Sequence, residues 1–480
     1  MRILYVSAEV EPFAKSGGLG DVLGALPKAI AKKDNEVAVV MPYYKRLIDA
    51  KYQSEMQYVG YYYVDVAWRH QYCGLFKLVK DNVTVYFLDN EFYFGGDMYC
   101  FADNERFAYF AKASLDLIGY LNEPFDVIHC NDWSSGLVPV LFDAFYRSNP
   151  LYSHAKLVYT IHNLRYQGWM SKHEAQDLTG LDDFYFTQDR LMNGDCVNVM
   201  KGAIVFSDAV TTVSDTYARE IATPEYGEYL DGLINQYSYK TYGILNGVDY
   251  KTYSPWRDKL IFKRYSKKSV FEGKLANKLQ LQKELGLPQD SEVMMIGLIS
   301  RLVDQKGLHL VDRVMERLAN CRVQFVVLGT GEKRYEDMFK YYQGRYPDKI
   351  SANIRFNNQL AHKIYAACDL FLMPSDFEPC GLSQIIALKY GALPLVRETG
   401  GLKDTVSSYN EYTGKGNGFS FANSNADDMW YTLCRAMQFY YDKPDVWAQI
   451  VQNGLKCNFS WAKSSKTYIK LYKDLTEKQV

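Results

Sequence analysis

A short apolar run, Ile3-Leu4-Tyr5-Val6, leads into Lys15-Ser16-Gly17-Gly18-Leu19-Gly20-Asp21, and Leu23, Leu26, Ala29 and Ile30 then follow at helical spacing. Strand, glycine-rich turn and helix in that order commit this part of the chain to a βα unit. The buried-strand run Val37-Ala38-Val39-Val40-Met41 closes it as βαβ. Such a turn gathers backbone N–H groups and a helix N-terminus at one point, which suits a phosphate. Gly17 and Gly18 put no Cβ between a ligand and the backbone, and Lys15 adds a mobile positive charge. A tight turn beside a surface lysine explains the stretch equally well. The pattern is neither G-x-G-x-x-G nor G-x-x-x-x-G-K-[ST], so dinucleotide and NTPase chemistry gain little from it.

The same plan recurs. A strand from Phe125 to Cys130 runs into Asn131-Asp132-Trp133, and another from Lys156 to Ile161 ends at His162-Asn163-Leu164-Arg165-Tyr166-Gln167-Gly168. Side chains just past the carboxyl ends of strands face the ligand crevice of an open α/β sheet. That makes Asp132 and Trp133 candidates, against the alternative that Asp132 caps a helix over 137–145. His162 shares its loop with Asn163, Tyr166 and Gln167, a set able to hydrogen-bond several hydroxyls, so the loop is expected to face a sugar. Alternating patterns between 55 and 89 predict antiparallel strands inserted in the α/β order. The Asn246-Gly247 turn, followed by Pro255, Trp256 and mixed charges, marks a domain boundary near 244–255.

Beyond it a basic helix is expected over 262–285. The strand Val293 to Ile299 then ends at Ser300-Arg301-Leu302-Val303-Asp304-Gln305-Lys306-Gly307. Two cations five residues apart in a strand-to-helix loop can grip a diphosphate, although a solvated loop with incidental charges is the commoner meaning of such a pair. The strand Asp369 to Met373 leads to Glu378, held extended by Pro379, and Gly381 opens a helix through Ile385, Leu388 and Lys389. A third glycine-rich turn, Thr399-Gly400-Gly401-Leu402, follows the run Leu393 to Val396.

At 480 residues the chain exceeds one ordinary core. The expectation is two Rossmann-like, doubly wound α/β domains facing one another across a deep cleft, residues 1–245 and 246–458. An amphipathic C-terminal helix (459–480) packs back on the first. A net charge of -1 gives no electrostatic case for nucleic acid. No apolar run approaches membrane-span length. Nine scattered cysteines, an odd count, are expected as thiols, and Glu9 and Glu11 interrupt any signal-peptide pattern. A cytoplasmic enzyme is expected.

Taken in order, these loops resemble the bacterial glycogen synthase family, shared with plant starch synthases and built on the two-domain GT-B glycosyltransferase fold. The resemblance spans essentially the whole chain. It rests on Lys15-Ser16-Gly17-Gly18-Leu19, His162-Asn163-Leu164 with Tyr166-Gln167-Gly168, Asn246-Gly247-Val248-Asp249, Ser300-Arg301-Leu302 with Gln305-Lys306-Gly307, and Glu378-Pro379-Cys380-Gly381-Leu382 through Thr399-Gly400-Gly401-Leu402. It implies retaining transfer of glucose from ADP-glucose to the non-reducing end of an α-1,4-glucan such as glycogen, with no metal and no cofactor.

Residue by residue, the resemblance implies that Lys15, Gly17 and Gly18 meet the donor's phosphate and glucose end, and that Arg301 and Lys306 bind the diphosphate. Glu378 is expected on the transferred glucose, beside the backbone of Cys380, Gly381 and Leu382, with Thr399 and Gly400 adding backbone contacts to phosphate. His162 and Asn163 are expected on the sugar and Asp132 nearer the acceptor. Glu378, Lys306, Arg301 and His162 form the implied catalytic set. Asn131 departs from the family's frequent His-x-His-Asp-Trp form, and Ser16 stands where threonine is also common. The aromatic loop from Phe92 to Phe101 aligns poorly and yields no acceptor tyrosine. UDP-glucose is the competing donor. A catalytically idle glucan-binding relative is the competing class, though it has no need of diphosphate cations. A nicotinamide-dependent dehydrogenase lacks its glycine turn and the acidic ribose ligand about 20 residues on.

Overall fold

The computed structural model describes residues 1–32 and 34–477. The chain forms two compact units, Met1–Gly247 together with the helix Trp461–Glu477, and Val248–Ser460.

The first unit is built on a nine-stranded sheet in the order Thr241–Gly243, Ala209–Thr212, Lys156–Ile161, Val127–Asn131, Arg2–Val6, Glu36–Pro42, Val83–Asp89, Arg69–Lys80, Gln57–Val66. The first seven run parallel, and the last two are antiparallel additions at one edge. The central strands read as continuous apolar runs because both faces are covered; Ile3 to Val6 are fully buried. Strand order reverses at Arg2–Val6, which pairs with Glu36–Pro42 on one side and Val127–Asn131 on the other. The loops leaving Arg2–Val6 and Val127–Asn131 therefore diverge, and such a switch point is where open α/β sheets bind ligands.

The second unit carries a six-stranded parallel sheet, Ile350–Asn353, Val323–Leu328, Met294–Ile299, Leu370–Met373, Leu393–Arg397, Phe419–Phe421. Its order reverses between Met294–Ile299 and Leu370–Met373, paired with Ile296 opposite Leu370. Arg301 and Lys306 follow the first of these strands, and Glu378 follows the second.

The helix Trp461–Glu477 buries Trp461, Ser464, Ser465, Tyr468, Leu471 and Tyr472, a stripe at three- and four-residue spacing. Its Tyr472 hydroxyl bonds the Tyr5 hydroxyl at 2.9 Å and His129 Nδ1 at 2.7 Å. His129 Nε2 continues to Thr160 Oγ1 at 2.5 Å, so one buried chain of polar groups ties this helix to three adjacent strands. Burial pushes the His129 imidazole down to about 3, so the network holds a neutral ring.

Three local expectations are corrected. The helix expected over 262–285 begins only at Val270, because the buried Asn277 side chain accepts the N–H groups of Phe262 and Lys263 and holds that segment out of the helix. The helix expected over 137–145 is α-helical only through Leu141 and widens to a π turn over Phe142–Tyr146. The helix expected to open at Gly381 starts at Ser383.

Tyr472→Phe keeps the ring but strands Tyr5 and His129. Losing a buried partner costs about 1–3 kcal/mol, so the urea midpoint of the variant is expected to fall accordingly. A change under about 0.5 kcal/mol, the scatter of surface substitutions, would contradict the network's role.

Candidate functional site

In the second unit the loop after Met294–Ile299 and the loop after Leu370–Met373 lock backbone to backbone. Gly307 has φ +66°, and a Cβ there would sit 1.9 Å from the Pro374 carbonyl oxygen. The Asp376 N–H donates to the Gln305 carbonyl at 3.0 Å. A third loop joins at Gly400, where φ is +45° and a Cβ would meet the Glu378 carbonyl oxygen at 2.0 Å. The Gly401 N–H donates to that same carbonyl at 3.1 Å. Only glycine permits these approaches.

The product is a cavity of about 190 Å³ lined by Arg301, Lys306, Ser375, Glu378, Gly381 and Leu382 among others. Glu378 is 8% exposed. Its Oε2 accepts from Lys306 Nζ at 2.6 Å and from Ser375 Oγ at 3.1 Å, while no described residue donates to Oε1. Arg301 also lines the cavity, is exposed, and forms no ion pair among the described residues. The site thus offers an anchored carboxylate with one open oxygen and an uncommitted guanidinium. Thr399 and Cys380 are buried beside it.

The first unit gathers the other candidates. Gly17 and Gly18 have open space where a Cβ would lie. The amides of this turn are not all available, however. Buried Glu9 accepts from the Ser16 N–H at 2.6 Å, the Ser16 hydroxyl at 2.7 Å and the Gly17 N–H at 3.1 Å, and from the Tyr99 hydroxyl at 2.6 Å. A carboxylate thus takes two amides of the turn for which the sequence pattern suggested a phosphate. Lys15 Nζ is paired with Asp21 at 2.8 Å and Glu11 at 3.2 Å. Burial works against its charge, and these two carboxylates outweigh burial and raise its pKa.

Asp132 does not cap a helix. Its backbone adopts φ +57°, a conformation costing about 1–3 kcal/mol for a non-glycine residue. Its Oδ1 turns back onto the next strand's loop, accepting from the His162 N–H at 2.8 Å and the Asn163 N–H at 3.3 Å. Burial raises this carboxyl to about 7; the two N–H groups oppose the rise and the charge of Glu9 adds to it. The half-buried His162 is pushed down to about 3 by burial, and its Nε2 lies 3.0 Å from Asn131 Oδ1. Asn163 Oδ1 takes the Arg165 N–H at 3.1 Å. Gln167, expected among the hydroxyl-binding groups, is instead buried and ties Leu164 to Glu228 through its Nε2. Trp133 packs edge-on against Phe107 at 5.0 Å.

Sequence reasoning missed Glu9, Tyr99 and Ser375. Glu9 had served only as an acid interrupting an apolar run, and Tyr99 lies in the loop left unassigned. Ser375 is three residues from Glu378, and that spacing was the one signal able to flag it.

A starch synthase catalytic domain model matches residues 2–236, and a glycosyl transferases group 1 model matches residues 278–449. A glycogen synthase of Lachnospira eligens is 51% identical over 99% of this chain and 100% of its own length. One of Clostridium novyi is 49% identical over the whole of both chains. Among solved structures, the catalytic domain of Arabidopsis thaliana starch synthase IV, bound to ADP and acarbose, matches with a TM-score of 0.92 at 34% identity, covering 99% of each chain.

Asp132 carries a pH signature. Below about pH 4 it is protonated both folded and unfolded. Between about 4 and 7 the unfolded chain releases the proton and the folded one keeps it, so stability falls as pH rises through that window, by at most about 4 kcal/mol. Asp132→Asn keeps an oxygen for the His162 N–H and removes the titration. Urea midpoints at pH 5 and pH 8 are expected to differ less in the variant than in the wild type. Equal differences would contradict the buried, proton-holding carboxyl.

Proposed function

The chain belongs to the glycogen and starch synthase family, and we propose that it transfers glucose from ADP-glucose to the non-reducing end of an α-1,4-glucan with retention at the anomeric carbon. The observation that carries the assignment of roles is the cavity of the second unit. There a buried glutamate shares one oxygen with a lysine and a serine, and an arginine with no ion pair among the described residues lines the same wall.

Breaking the glucosyl–phosphate bond leaves negative charge on the diphosphate and positive charge on the sugar. Arg301 and Lys306 meet the first, where fixed cations act best in a site prepared before reaction. Arg301 needs no partner exchanged to do so. Glu378 answers the sugar. Oε2 is held by Lys306 and Ser375, and Oε1 remains to accept a hydrogen from a glucose hydroxyl. Cys380, Gly381, Leu382, Thr399 and Gly400 contribute backbone close to donor and phosphate.

Glu378 is the one carboxylate among the lining residues. Double displacement needs a nucleophilic carboxylate set about 5–5.5 Å from an acid, and a carboxylate held 2.6 Å from an ammonium is a poor nucleophile. The route favoured is front-face. The C1–O bond to phosphate breaks, the acceptor oxygen bonds C1 on the same face, and the acceptor's proton passes to the departing phosphate oxygen.

In the first unit, Lys15 reaches donor phosphate by exchanging Asp21 and Glu11 for it, with Gly17 and Gly18 giving clearance. His162 and Asn163 hold the sugar. Asp132 fixes their loop through Oδ1 and keeps Oδ2 for an acceptor hydroxyl. No helix among the described residues is long and apolar enough to cross a membrane, and all nine cysteines are free thiols. A cytoplasmic location follows from this reading.

Labelled glucose transfer to glycogen, with ADP-glucose and UDP-glucose compared in the presence of EDTA, tests the function. Strong transfer from ADP-glucose is expected. Transfer from UDP-glucose alone would overturn the donor, and transfer from neither by folded protein would overturn the activity. Glu378→Ala is expected to lose about 10²–10³-fold or more in turnover with an unchanged circular dichroism spectrum. Near-wild-type turnover would remove Glu378 from the site.

A further inference from the structure

Asn131 ends the strand Val127–Asn131 and is 1% exposed. Its Nδ2 donates to the carbonyls of His129 at 3.1 Å and Val6 at 3.4 Å. Those two acceptors settle which way the amide points. Oδ1, which can only accept, is left 3.0 Å from His162 Nε2. An acceptor at that distance requires a hydrogen on Nε2. A neutral imidazole carries one N–H, so Nδ1 holds the lone pair. No described residue donates to Nδ1.

No charged side chain among the described residues bonds the ring. Asp132 bonds the main-chain N–H of His162 and not the imidazole. His129, on the same strand as Asn131, is itself held neutral by burial. Burial of His162 works in the same direction.

We propose that Asn131 is a positioning residue that holds His162 in the Nε2–H tautomer, making Nδ1 a fixed acceptor for a hydroxyl of the bound sugar. The proposal rests on the reading of His162 as sugar-binding and deepens it. A hydroxyl brings a hydrogen to the lone pair. An ionised phosphate oxygen brings only lone pairs and is repelled. The loop therefore distinguishes the sugar end of the donor from its phosphate end without a charged side chain, through the chemistry of one buried amide.

The test uses full-length protein labelled with ¹⁵N-histidine, with the His162 signal among seven histidines assigned by its loss in His162→Ala. Wild type is expected to show an unprotonated Nδ1 and a protonated Nε2 from about pH 5.5 to 8.5, across the range where an ordinary imidazole titrates. Asn131→Asp places a carboxylate against Nε2 and favours the imidazolium. The His162 midpoint is expected to rise by about two pH units or more. The donor kcat/KM then gains an acidic limb, about tenfold down one pH unit below the new midpoint. An Nδ1–H tautomer in the wild type overturns the proposal even if the variant fails to fold, and so does a folded Asn131→Asp protein with an unmoved midpoint. Full turnover by His162→Ala would overturn the sugar-binding reading instead, leaving the tautomer assignment to stand on its spectrum.

Discussion

Glu378 reaches its place because three loops of the second unit pack backbone against backbone. At Gly307 against Pro374 and at Gly400 against Glu378, the room left for a Cβ is about that of a covalent bond plus a fraction. No flexible side chain gives way there, since the opposing atoms are carbonyl oxygens. The carboxylate is thus fixed from behind by the main chain and from the front by Lys306 and Ser375. A buried ion pair of this kind adds little net stability, because both ions lose water. What it supplies is position: a carboxylate held in one place before any ligand arrives, which is the preorganisation the proposed chemistry needs.

The two units settle their charged loops differently. In the first, the charges at the glycine-rich turn already have protein partners. Glu9 holds two amides and two hydroxyls, and Lys15 holds two carboxylates. A phosphate arriving there competes with carboxylates and gains only the difference. In the second, Arg301 stands without an ion pair among the described residues and offers its full charge. Of the cations in these two sets of loops, Arg301 is therefore the one that a diphosphate meets with no carboxylate to displace.

Much of this was legible in the sequence. Strands covered on both faces read as unbroken apolar runs, and the residues after them fall at the sheet reversals where ligands bind. Arg301, Lys306 and Glu378 stand just past such strands, the family resemblance singled them out, and the structure brings all three to one cavity. What sequence could not show were partnerships between distant segments. Glu9 and Tyr99 are 90 residues apart and meet only in the fold. Asp132 looked like a helix cap because capping is a local pattern, whereas its partners lie 30 and 31 residues on. The helix from 262 was overextended because nothing local in that charged stretch announces Asn277 as the competitor for its first N–H groups.

Diphosphate recognition by Arg301 and Lys306 is the claim on which the chemistry turns, and a crystal structure of the protein with ADP tests it most directly. The diphosphate oxygens are predicted within hydrogen-bonding distance, about 3 Å, of the Arg301 guanidinium and Lys306 Nζ. An ordered ADP whose phosphates touch neither side chain would contradict it.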